Sequence, residues 1–351
     1  MKKISLLITA AIVSQVVFSQ NSDSAQKKSA TIITGSVDGY YRYNFNNPKS
    51  SPYNSFTSFT KTSNSFELGM ASLRADHSFG KVSATIDLGF GNRAEEFAYN
   101  DANTRFAIKQ AYLSYAPSAV VKFTLGTWAT HVGYEMLDPY LNRNYSMSYM
   151  FTNGPFSHTG IKADISLGGK SALMLGISNP VDYRSAPAMP KSIIAQFSTA
   201  SKNDKLKAYF NFVGGKQSST KKLVQGDIVA TYTVTSKFSI GVNGTLQSVK
   251  LKDSTGISKT STWGGGALYL NLDPVSWFGV TLRGEYIGDK DQYLGLKNVF
   301  APTLSANFKI DNLTIIPEFR FDNAGNAVFY KNATTFSKST GSFILAATYH
   351  F

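Results

Sequence analysis

The residues best equipped for chemistry in this 351-residue chain gather around one stretch, THVGYEMLDPYLNRNYSMSYMFTNGP, running from Thr130 to Pro155. His131 and His158 flank it, with Ser146, Ser148 and Ser157 nearby, so a folded-back loop could bring a hydroxyl to an imidazole. A hydrolase needs that pair and an acid to orient the ring. No GxSxG or HExxH context surrounds these residues, and hydroxyl side chains abound along the whole chain. The other histidines, His77 and His350, are scattered, and no metal-ligand spacing, phosphate loop or dinucleotide fingerprint is present. The Gly-rich TWGGGALYL at Thr262 to Leu270 reads as a strand with close backbone approach. No cofactor is implied. A hydrolase stays a lesser alternative, and the chemistry left to explain is charge: Glu135, Asp138 and Arg143 inside the stretch.

The elements that would position these charges are strands. KVSATIDLGFG places Val82, Ala84, Ile86, Leu88 and Phe90 on one face and Ser83, Thr85, Asp87 and Gly89 on the other. DKLKAYFNF and NLTIIPEFRF repeat the pattern, the second setting Leu313, Ile315, Pro317, Phe319 and Phe321 against Thr314, Ile316, Glu318 and Arg320. Period-two alternation over about ten residues is the mark of a strand with unlike faces. Between the runs, tight turns (HSFGK, APSA, LGGK, SKND, TSK, DPVS, KIDN) alternate without a break with long polar connections. All long loops then emerge on one side and all tight turns on the other, as in outer-membrane barrels. A Greek-key sandwich has no reason to sort its loops so. The reading is an all-β, antiparallel up-and-down transmembrane barrel of about 16 strands, with 14 also open, over residues 31–351. Its least regular runs are 64–79, where the alternation changes phase near Ala71 and Ser72, and 191–201.

The termini agree with that reading. Lys2 and Lys3, an apolar run, and small residues at Val17 and Ser19 form a signal peptide over 1–19, and a short polar segment fills 20–30. Export favours disulfides in small domains, yet the chain has no cysteine, so it must be held together in another way, and a closed hydrogen-bonded barrel would do. The net charge of +13 falls to +11 without Lys2 and Lys3, and its excess is scattered through loops as a solvated basic rim; nothing resembles a nucleic-acid module. At the other end SFILAATYHF puts Phe343, Leu345, Ala347, Tyr349 and Phe351 on one face, with Ile344 the apolar exception on the other. It should pair with the first strand, because an open edge in hydrocarbon leaves backbone groups unsatisfied at several kcal/mol each. A terminal strand ending in Phe351 also resembles the signal read by the barrel-assembly machinery of Gram-negative outer membranes.

Asp38, Arg42, Asp87, Lys122, Lys162, Asp164, Lys207, Asp227, Arg283, Glu285, Glu318 and Arg320 fall on the lumen face by parity, too many ionised groups for a dry core. A wet interior is a pore unless something fills it. The Thr130–Pro155 stretch is the third external loop, and its Tyr and Met content would sit poorly in water. It is expected to fold into the lumen over 130–155. Glu135, Asp138 and Arg143 then face Arg42, Lys122, Arg283 and Arg320 as the constriction charges.

Residues Gly133 to Glu135, Asn142 to Ser148 and Gly154 to Gly160, in GTWATHVGYE and NRNYSMSYMFTNGPFSHTGIKAD followed by LMLGISNP, carry a family resemblance. The chain is similar to the OmpL-like β-barrel porins (porin-2 type) of Bacteroidota, in which a GYE segment, an Asn/Ser/Tyr-rich stretch and GPFxHTG follow one another. The resemblance implies a channel in a Gram-negative outer membrane, in contact with lipid, lipopolysaccharide and small hydrophilic solutes. It is silent on cargo and oligomeric state. A passive diffusion channel is the leading reading; a plugged or substrate-specific barrel acting as a binding or assembly platform is the alternative.

Overall fold

In the computed structural model the described residues are 29–332 and 335–351; the expected signal peptide at 1–19 and most of the polar segment after it lie outside them. The strands are β1 Ser29–Asn44, β2 Ser65–Phe79, β3 Val82–Phe90, β4 Ile108–Tyr115, β5 Val121–Ala129, β6 Ser157–Ser166, β7 Ala172–Ser178, β8 Ser192–Ala200 and β9 Leu206–Lys216. They continue as β10 Lys221–Thr233, β11 Phe238–Lys252, β12 Ser258–Val275, β13 Phe278–Gly288, β14 Asn298–Ile310 and β15 Leu313–Ala324. A small hairpin, β16 Phe329–Lys331 and β17 Thr335–Ser337, sits within the last external loop, and β18 Ser339–His350 ends the chain. Sixteen of these strands pair antiparallel with their neighbours and close on themselves, β18 lying between β15 and β1. Both weakly patterned runs are strands, β2 and β8.

Closure removes the edges. β1 pairs β18 from Ser36↔His350 to Asn44↔Ser342, and the backbones of Gly35 and Phe351 exchange bonds of 3.0 and 2.9 Å. Gly35 is glycine because a Cβ there would stand 2.5 Å from the Phe351 ring. The outer face is apolar: Phe66 is 84% exposed, Leu246 61% and Ile32 61%, a belt no water-soluble sheet would display and lipid would cover. Aromatic residues ring both ends, with Tyr115, Tyr232, Trp277 and Tyr349 near the tight turns and Tyr43 and Tyr286 near the loops.

The phase change in β2 comes slightly earlier than the sequence pattern places it. Asp38 pairs with Met70 and Gly39 with Leu68, so Gly69 is the extra residue of a β-bulge. Gly69 and Met70 both turn inward, and a Cβ on Gly69 would fall 1.8 Å from the Asp38 carboxylate. Two short helices lie in the external loops, α1 Asn92–Phe97 and α2 Tyr149–Asn153.

Deleting Phe351 removes both seam bonds and the ring over Gly35, each bond worth about 0.5–1.5 kcal/mol net. The heated barrel should then change from its compact to its extended electrophoretic form at a lower temperature. An unchanged midpoint would mean that the seam does not depend on the last residue.

Candidate functional site

The 130–156 segment leaves β5 at its loop end and travels far from it. Thr130 N donates to Phe156 O at 2.9 Å, closing the neck. Gly133, at φ +94°, turns the chain so that its N–H reaches Asp227 of β10 at 3.0 Å. The Tyr134 ring stacks on Tyr269 of β12 at 4.0 Å, in space that Gly241 leaves by having no side chain. Asn142 holds both the N–H and the carbonyl of Met136, at 2.9 and 2.6 Å, looping the chain around a 3-10 turn at Pro139–Leu141. At this point the segment is near the tight-turn end: Tyr140 stacks on His350 at 4.8 Å, and Arg143 pairs with Asp273 of β12. It then climbs back to α2.

The returning backbone is gripped by side chains of the wall. Glu318 of β15 accepts from Tyr145 N at 2.8 Å and Ser146 N at 3.1 Å. Glu285 of β13 accepts from Tyr149 N and Met150 N, both at 2.9 Å. Arg283 donates to Ser146 O at 2.7 Å and Arg320 to Met147 O at 2.6 Å. Within the loop, Glu135 accepts from Ser148 N at 2.7 Å and from Arg283 at 2.6 Å, while Ser148 Oγ caps α2 through Phe151 N at 3.0 Å. Charge-assisted bonds of this kind are about twice as strong as neutral ones. They also solve a mutual problem, since peptide groups and ionised side chains both lose water here.

Apolar contacts follow the same path. Tyr145 packs on Tyr40, Ile316, Ile344 and Ala346, and its hydroxyl donates to Asp38 at 2.6 Å. Tyr149 and Met150 join Trp263, Ile287 and Val299 of the wall. Phe151 and Phe156 meet Phe59 of the first external loop and Phe97 of α1. Arg93 of α1, fully buried, donates to Leu137 O at 3.2 Å.

Of the charges singled out from sequence, the structure brings Glu135 to Arg283 and lays Arg320 against the loop backbone. Asp138 meets Lys109 at 2.5 Å instead, in a chain that continues to Asp87 at 3.0 Å. Arg143 meets Asp273. Arg42 is buried against the first external loop, donating to Tyr53 O at 3.0 Å and Thr62 O at 2.7 Å. Lys122 pairs with Asp164 at 3.7 Å and bonds nothing in the 130–156 segment. Lys109 and Asp273 were not singled out, and Glu285 and Glu318 only as wall charges. The signal that could have found the landing site is the pair of lumen-facing apolar exceptions, Ile316 and Ile344.

The histidines do approach, with ring centroids of His131 and His158 5.1 Å apart. His158 Nε2 lies 3.2 Å from Thr130 Oγ1 and His131 Nε2 3.2 Å from Phe212 O, and among the described residues no carboxylate bonds either ring. Burial pushes the His131 pKa down to about 4, so it is neutral near pH 7. Ser146 Oγ is held by Arg283 and Arg320, and Ser148 caps a helix. In the fourth external loop Asp182 accepts from Phe156 N and Ser157 N at 2.7 and 2.8 Å; burial raises its pKa to about 6, although those N–H groups and Tyr99 pull the other way. Among the described residues no cluster of three or more ligating side chains could hold a metal.

A closed sixteen-strand antiparallel barrel with an apolar outer belt, a polar inner wall and loops sorted to one end is the architecture of outer-membrane channels. The chain belongs to the family described as "Putative beta-barrel porin-2, OmpL-like", which it matches over residues 31–351. It is a porin of a Gram-negative outer membrane. The fold is similar to that of the outer membrane channel DcaP of Acinetobacter baumannii, with a TM-score of 0.65 and 12% identity, covering 92% of this chain and 97% of that one. An anion-selective porin from Comamonas acidovorans gives 0.61 and 13%, covering 92% and 100%. A loop-deletion form of OmpT, an outer membrane protein of Vibrio cholerae, gives 0.61 and 9%, covering 92% and 99%. No curated protein sequence matches the chain.

Replacing Glu318 by Ala strands two N–H groups, at about 1–3 kcal/mol each. The variant barrel should be cut by protease within 130–156 while the parent is not. Equal resistance would show that the carboxylate does not hold the loop.

Proposed function

We propose that the protein is a passive diffusion channel for small hydrophilic solutes whose constriction is the third external loop, folded into the lumen. The observation that carries this is the grip of Glu285, Glu318, Arg283 and Arg320 on the backbone from Tyr145 to Met150. A loop held by charged bonds on β13 and β15, with Val132 packed against Met174, Ile194 and Val213 across the lumen, narrows the passage by a fixed amount and leaves solutes the space along β5 to β9 toward the tight turns. There Lys122, Lys162 and Lys207 face inward with Asp164, a cationic excess that favours anions by raising their local concentration. Glu135, Asp138 and Arg143 with Arg283 and Arg320 form the narrow zone on this reading, and Arg42 braces the first loop above it.

On this reading the protein conducts rather than catalyses; among the described residues no carboxylate bonds His131 or His158. The leader at 1–19 directs Sec export, and the strand ending at Phe351 is what the barrel-assembly machinery engages. One observation favours the plugged alternative: the first, third, seventh and eighth external loops meet in one buried apolar cluster that includes Met150, Leu296 and Phe329, with Phe56 packed on it. Current separates the two.

Refolded protein in a planar bilayer should give stable single-channel steps with a reversal potential that favours anions at low salt, and removing residues 134–152 should raise the conductance several-fold. Silence from verifiably folded parent, with conduction restored by the deletion, would replace the constricted pore by a plugged barrel. Cation preference would reject the role given to the lysines.

A further inference from the structure

On the tight-turn side of the third loop lies a cavity of 240 Å³ between the loop and the wall of β9 to β12. One water needs only about 10–15 Å³, so the space takes a small organic ring. It shares Glu135 and Arg143 with the salt-bridged zone, but most of its lining is aromatic, hydroxyl and amide. Tyr209 of β9 and the stacked pair Tyr134 and Tyr269 supply aromatic surface. Thr231 and Thr233 of β10 and Asn271 of β12 supply hydroxyls and an amide. Asn271 Oδ1 accepts from Thr281 Oγ1 at 3.0 Å, and its Nδ2 donates to Ser239 Oγ at 3.4 Å and lies beside Tyr134.

The charges around the cavity are nearly all committed elsewhere. Glu135 is held by Arg283 at 2.6 Å, Arg143 by Asp273, and Asp204 by Lys170 at 2.5 Å. Lys207 is the exception: it faces inward directly across from Thr231 and makes no ion pair among the described residues.

Flat aromatic faces beside hydroxyl and amide groups match a ring that has C–H bonds on its faces and hydroxyls on its rim. A single free ammonium adds a place for one carboxylate. We propose that this cavity is a saccharide site, taking a single hexose and preferring its uronic acid, with Tyr209 under the ring and Lys207 on the carboxylate. The inference rests on the channel reading, for it places the site on the path just below the third loop, and it names the class of solute that pauses there.

The test uses the full barrel in detergent micelles and titrates glucose and glucuronate at low salt, read by saturation-transfer NMR and calorimetry. Both sugars should bind saturably, glucuronate about tenfold tighter, in line with a charged hydrogen bond. Lys207→Gln should erase that tenfold gap and leave glucose unchanged, and Tyr209→Ala should weaken both sugars while Tyr209→Phe retains glucose. No saturable binding would overturn the site, and equal binding of the two sugars with Lys207→Gln silent would overturn the part assigned to Lys207. No current is needed, so binding without conduction would reject the channel and keep the site, and conduction without binding would do the reverse.

Discussion

The structure turns on a bond type that has no counterpart in an ordinary loop: carboxylates of the barrel wall accepting pairs of consecutive peptide N–H groups. Glu318 takes Tyr145 and Ser146, and Glu285 takes Tyr149 and Met150. Each carboxylate has two oxygens and each peptide one hydrogen, so a single side chain fixes both the position and the direction of the backbone that lands on it. Arg283 and Arg320 complete the set by donating to the carbonyls of Ser146 and Met147. Removing any one member leaves others buried and unpaired, which costs more than the bond itself contributed.

That mutual need explains the wall. Charges of both signs stand on β13 and β15 in the middle of the interior, where neither lipid nor bulk water serves them. Arg283, Glu285 and Glu318 are 0% exposed, so this part of the interior is dry, although a wet lumen is what so many ionised groups imply when the wall alone is considered. The loop supplies what water would have supplied. The loop also reaches the other half of the wall, where Val132 packs with Met174, Ile194 and Val213, and the lysines Lys122 and Lys162 stay partly exposed with Asp164.

Much of this was legible beforehand, for physical reasons. Alternation survives in a barrel wall because lipid and lumen differ so strongly, which is why the strands, their even number and the seam between β1 and β18 follow from residue pattern. The third loop announced itself by Tyr145, Met147, Tyr149 and Met150, residues that water would not hold. The pairing of charges did not follow, because a side chain's partner depends on where a long loop comes down, and sequence distance says nothing of that. Lys122 faces the lumen as its parity requires, yet the loop comes down to the tight-turn end at His350 and Asp273, away from β5, and Lys122 pairs with Asp164 instead. The clue that went unused was Ile344, an apolar residue on a polar face. With Ile316 it forms the seat of Tyr145, and the bulge at Gly69 makes room for Asp38 to receive that tyrosine's hydroxyl.

Hydrogen exchange of the folded barrel tests the central claim without depending on transport. Backbone amides of Tyr145, Ser146, Ser148, Tyr149 and Met150 belong to a loop between strands and would exchange quickly if it were free in the channel. Held by Glu318, Glu135 and Glu285, they should exchange as slowly as amides of β13 and β15, long after those of the turn around Asp253 to Ile257. Exchange at the rate of that exposed turn would contradict the account, because the wall would then not be holding the loop.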